Sequence, residues 1–198
     1  MKRALAAGLP FFVLAVIAFP IGTMQHELGH VLAAKLADIP VKLSYTSVHE
    51  PIVISQQRYF YLALGGPLAT WIFAVAAFVF VYVRKKKGLW PEGTRPSIWQ
   101  VILTCIAMFS ARSLLDGFFF ISTGFQGAAG DERIILGYLN MPLIPIVLIE
   151  IIAAALIAVT VFRCISIGYR LGSVAGFIFG VFFGLYFWCG VLGPVILP

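Results

Sequence analysis

His26-Glu27-Leu28-Gly29-His30 sets two imidazoles four residues apart, with a carboxylate beside the first. On a helix, positions i and i+4 lie one turn apart on one face, so both rings can reach a single tetrahedral metal ion. Glu27 then stands where a carboxylate can take a proton from water activated at that ion, as metal-assisted peptide hydrolysis requires. With three His and five Glu in the chain, chance would produce this HExxH spacing in roughly one such sequence in a thousand. The bland alternative, imidazoles that only hydrogen-bond between helices, leaves two His and one Glu crowded into an apolar segment at considerable cost with no compensating role. A buried proton or cation path is another use of such residues, but the i, i+4 spacing with an adjacent Glu is more specific to zinc hydrolysis.

Two imidazoles need a third protein ligand. Asp116 sits inside an apolar run, where an ionised carboxylate costs a few kcal/mol unless paired or ligated, at a depth comparable to that of the histidines. Arg112, one turn earlier, offers the competing use of Asp116 as a helical ion pair. Asp131, in Gly130-Asp131-Glu132, is the alternative third ligand. Glu150 would give a His-His-Glu set of the thermolysin type.

The elements that must position these groups belong in a bilayer. Of 198 residues, 61% are hydrophobic and 11% charged, and the mean hydropathy is +1.01, far from the mixture of a soluble domain. The net charge of +6 does not indicate nucleic acid, because the basic residues form short clusters between apolar runs, as orientation signals do. Cys105, Cys164 and Cys189 all lie in apolar stretches without CxxC spacing and read as packing residues.

Hydropathy predicts an all-α membrane protein, a single domain over residues 1–198 with about five transmembrane helices near 5–37, 59–83, 98–122, 142–163 and 171–197. Met1-Lys2-Arg3 begins a retained first span rather than a cleaved signal, and Pro20 and Gly22 offer a kink in it. Placing Lys2 and Arg3, Arg84 to Lys87, and Arg163 with Arg170 on the cytoplasmic side satisfies five alternating spans, with the amino terminus inside. The chain is thus expected to be a multi-pass protein of the cell membrane.

Between the first two spans, the β-branched runs 41–48 and 52–55, separated by His49-Glu50-Pro51, read as a short β hairpin. Ile52, Val53 and Ile54 could offer an edge to which an unwound substrate adds as a strand. Gly65-Gly66-Pro67 would either let the backbone approach a ligand closely or simply open a helix. Gly180 and Gly184 have the small-xxx-small spacing of close helix packing. Phe118 to Phe120 and Trp188 read as lipid-facing or interfacial, and residues 84–97 and 123–141 as soluble linkers.

HELGH in a membrane helix, a hairpin after it, Gly65-Gly66-Pro67-Leu68-Ala69 in the next span and Leu115-Asp116-Gly117 in a later one resemble, in that order over about residues 20–120, the site-2 protease family of intramembrane zinc metalloproteases. The resemblance implies zinc as cofactor, His26, His30 and Asp116 as its ligands, and Glu27 as the catalytic base. It implies hydrolysis of peptide bonds in or near transmembrane segments of membrane protein substrates. Gly130-Asp131-Glu132, followed by Ile134-Ile135-Leu136 and Pro142, resembles a segment of divergent relatives. No stretch resembles a PDZ-like or cystathionine-synthase-like regulatory domain. The alternative is a catalytically inactive protein of the same fold that binds or chaperones membrane segments.

Overall fold

A computed structural model describes residues 2–45, 47–50, 53–123 and 130–197, excepting the side chains of 2–5, 111, 112, 115 and 117–119. The protein is all-α with one very small hairpin. Helix α1 (Lys2–Leu36) leads to strands β1 (Lys42–Leu43) and β2 (Val48–His49), which pair antiparallel with Lys42 opposite His49 and Leu43 opposite Val48. Then follow α2 (Gln56–Lys86), α3 (Ile98–Ala107), a 3-10 turn (Met108–Ser110), α4 (Ala111–Ser122), α5 (Gly130–Tyr138), α6 (Leu143–Arg163) and α7 (Ile167–Phe187). A π turn (Trp188–Leu192) and α8 (Gly193–Ile196) close the chain.

Four helical segments, Ala6–Leu36, Gln56–Lys86, Leu143–Arg163 and Ile167–Ile196, are long and apolar enough to cross a membrane. The third expected span is instead broken: α3 and α4 meet at the 3-10 turn, where Ser110 Oγ donates to the Ala107 carbonyl (3.0 Å). Serine hydroxyls caught by nearby carbonyls compete with the regular helix ladder. Ser55 and Ser97 do the opposite job at helix starts, each accepting a backbone N–H in the first turn of α2 or α3.

Along α1, Leu9, Val13, Ile17, Ile21, Leu28 and Leu32 form an exposed apolar stripe, whereas Ala7, Phe11, Ala15, His26, His30 and Ala34 are buried. Both stripes follow the helical period. An outward stripe of this size is a liability in water and the required surface in lipid. The core joins Phe11 and Ala15 to Val101, Cys105, Phe162, Ile165 and Phe177, and a second cluster sets Ala77 and Val81 of α2 against Ile157 and Val161 of α6. The buried Cys105 and Cys164 belong to these clusters.

Glycines decide which helices meet. A Cβ on Gly176, Gly180 or Gly184 would meet α1 at Gly8, at Phe12 and Ala15, or at Val16 and Phe19 respectively. The partners ascend together, so α1 and α7 run parallel in close contact. The amino terminus therefore lies at the same end as Arg163 and Arg170. Gly93 N–H donates to Ser166 Oγ (3.1 Å), which brings the connection after Arg84 to Lys87 to that end too. All three basic clusters share one end of the bundle.

Several expectations need correction. The first span is not broken at Pro20 and Gly22 but continues through them as one helix, and Gly22 makes room for the Phe109 ring, 3.0 Å from where a Cβ would sit. Gly65 to Pro67 lie within α2 rather than at its start. The linker 123–141 contains α5. Phe120 and Trp188 are buried, and Trp188 Nε1 donates to the Tyr45 carbonyl (3.0 Å) rather than facing lipid. Of the expected edge at 52–54, Ile52 lies outside the described residues, while Val53 and Ile54 are not in a strand: Val53 is fully exposed, and Ile54 packs with Ala34, Ile39 and Leu62.

Candidate metal centre

The site forms where α1 crosses α2 and is closed by α5. At the crossing, Gly29 and Gly65 face each other so tightly that a Cβ on either would strike the other's carbonyl oxygen. Backbones can approach this closely only where both lack a side chain. The next residue, Gly66, leaves the space into which the histidines project: a Cβ there would strike Nε2 of both His26 and His30.

Each ring is held through its other nitrogen. His30 Nδ1 lies 2.7 Å from the Leu62 carbonyl, which can only accept, and 3.3 Å from the Gly66 N–H, which can only donate; the shorter contact favours the proton on Nδ1, which leaves Nε2 its lone pair in the neutral ring. His26 Nδ1 pairs with Thr70 Oγ1 at 2.9 Å. Such outer partners fix the tautomer and orientation of metal-binding imidazoles. The result is an Nε2 to Nε2 separation of 3.1 Å with the rings nearly perpendicular, at 77°.

Asp131, in the first turn of α5, completes the cluster. Its Oδ2 lies 3.0 Å from His26 Nε2 and 3.2 Å from His30 Nε2. Three electron-pair donors around one point require a proton or a cation between them. Edges of about 3 Å suit ligands held about 2 Å from a common ion in a tetrahedral shell. Together with the cradle left by Gly66, this donor set fits a divalent metal. Burial raises the pKa of the Asp131 carboxyl, but the hydrogen bonds and charge of His26 and His30 hold it well below the usual carboxylate range.

The structure groups the histidines with Asp131, the alternative third ligand, while Asp116, the ligand that the resemblance implied, lies beside this cluster. Asp116 is exposed and lines a cavity of about 30 Å³ together with His26 and Asp131 of the cluster and with Ser113, Glu132 and Glu150, room for a water molecule. The Arg112 side chain, its suggested partner, lies outside those described. Glu150 is not in the cluster either: its Oε1 accepts from Trp71 Nε1 (2.7 Å) and Ser113 Oγ (2.8 Å), tying α2, α4 and α6 together. Burial and the carboxylate of Glu150 push the Glu132 carboxyl up to about 8.

Glu27 is almost wholly buried and shares a cavity of about 180 Å³ with both histidines and Asp131. That cavity is also lined by Ser47 and Val48 of the hairpin, by Glu50 and by Tyr59. The hairpin thus borders the site through Ser47 and β2. Gly65 makes the helix crossing and Gly66 the ring cradle. Sequence reasoning missed Thr70 and Val48. Thr70 had a legible signal, a lone hydroxyl in an apolar run one turn after Gly66 and hence on its face.

No family model, no curated protein and no solved structure matches this chain.

Proposed function

We propose that this protein is an intramembrane zinc metalloprotease of the site-2 protease type, hydrolysing peptide bonds in or near transmembrane segments of other membrane proteins. One observation carries the proposal: His26, His30 and Asp131 converge to within 3.2 Å of one another beside the buried Glu27. A buried carboxylate next to a metal-binding triad is expensive in an apolar helix and is what water activation needs.

His26, His30 and Asp131 would hold the ion. When bound, zinc supplies acidification of water and polarisation of the scissile carbonyl. Glu27 accepts the proton of the attacking water and returns it to the leaving amine. Thr70 and the Leu62 carbonyl keep the imidazoles turned toward the ion. A substrate helix must unwind before its peptide bond is reachable, because its carbonyls are engaged in internal hydrogen bonds. Val48, at the rim of the cavity, supports the view that the unwound strand is received along β2. The shared basic end of the bundle supports a cytoplasmic amino terminus.

The test is cleavage of a membrane-peptide substrate by purified protein and by Glu27→Gln. The variant should retain metal by elemental analysis and lose turnover by about 10²–10⁴-fold. Wild-type turnover in the variant would refute the mechanism. Wild-type protein that binds metal but cleaves no membrane segment would favour the inactive binding protein.

A further inference from the structure

Away from the metal centre, α6, α7, the 3-10 turn and α4 part to leave a cleft of about 510 Å³. Its walls are apolar: Met108, Leu114, Ala158, Val174, Phe177 and Ile178. Its one charged border is formed by Arg163 and Arg170, at the end of α6 and the start of α7. Arg170 is fixed, its Nε donating to the Phe162 carbonyl and its Nη2 to those of Arg163 and Ile165. Arg163 is exposed, and among the described residues no carboxylate forms an ion pair with either guanidinium.

From Arg170 to Phe182, which also lines the cleft, α7 advances roughly 18 Å. One leaflet of the hydrocarbon core is about 15 Å thick. The cleft therefore combines a cationic mouth at headgroup level with an apolar slot one leaflet deep. A slot with apolar walls beneath a cationic mouth suits an acyl chain that hangs from an anionic headgroup, whereas a transmembrane helix offers no anion at that level. Basic pockets between spans at the positively charged side are where anionic headgroups bind.

We infer that this cleft holds one anionic phospholipid, with its phosphate at Arg163 and Arg170 and one acyl chain between α6 and α7. The lipid would brace α4 from the face that carries Leu114, while Ser113 and Asp116 line the cavity next to the metal centre.

The experiment is native mass spectrometry of the purified full chain after incubation with vesicles of phosphatidylglycerol or of phosphatidylcholine. Wild type should retain one phosphatidylglycerol per chain, at least about fivefold more than phosphatidylcholine. Arg163→Gln, at the exposed mouth, should lower phosphatidylglycerol retention about fivefold. Ala158→Phe, which fills the slot, should abolish it while metal content stays at the wild-type level. Equal retention of the two lipids by wild type, or undiminished phosphatidylglycerol retention in Arg163→Gln, overturns the inference whether or not Ala158→Phe folds. None of these readouts depends on proteolysis or on the identity of the metal.

Discussion

His26 Nε2 stands 3.0 Å from Asp131 Oδ2 although 105 residues separate them in the chain. The contact joins the long first helix to a nine-residue helix in what hydropathy reads as a linker. It changes which carboxylate should matter for metal binding.

Asp131→Asn should therefore weaken metal affinity by 10²-fold or more, beyond the 10–100-fold typical of losing an outer partner. Asp116→Asn should leave affinity within a few-fold of wild type. Chelator competition on the two purified variants measures both, and the reverse order would make Asp116 the ligand.

Thr70→Val keeps the shape of the side chain but removes the hydroxyl partner of His26 Nδ1. Metal affinity should fall by about 10–100-fold, with the helical content unchanged by circular dichroism. Affinity equal to wild type would mean that packing alone orients the ring.

Gly66→Ala opposes two effects. Alanine improves helix propensity by about 1 kcal/mol, but its methyl would occupy the space of both Nε2 atoms, and overpacking costs about 1–3 kcal/mol. The steric effect should win at the site. The variant should insert in the membrane yet lose metal, as elemental analysis would register, whereas full occupancy would show that the two helices can separate.

Trp188→Phe removes the hydrogen bond that ties the Tyr45 carbonyl in the hairpin to the π turn after α7. Leaving that carbonyl without its partner should cost about 1–3 kcal/mol. Hydrogen exchange should quicken across residues 42–49 while α1 stays protected. Unaltered exchange would mean that the Tyr45 N–H bond to the Leu197 carbonyl (3.3 Å) suffices.

By itself, the sequence determined the class of the protein and half of its candidate metal centre. Long apolar runs must become helices in lipid because each backbone polar group has to be satisfied within its own segment, and i, i+4 imidazoles share a face wherever that helix forms. Hence His26, His30 and Glu27, the helical bundle and the hairpin could all be read in advance. Only the tertiary structure decided which carboxylate stands against the two imidazoles. An aspartate in a polar linker costs nothing when solvated, so Asp131 carried only the weak signal of a resemblance until α5 folded over the α1–α2 crossing. Asp116 carried a strong one because it lies in an apolar run. The break between α3 and α4 and the Gly29–Gly65 contact that sets the helix separation were hidden for the same reason. Both arise from what packs against a residue, which local pattern does not encode.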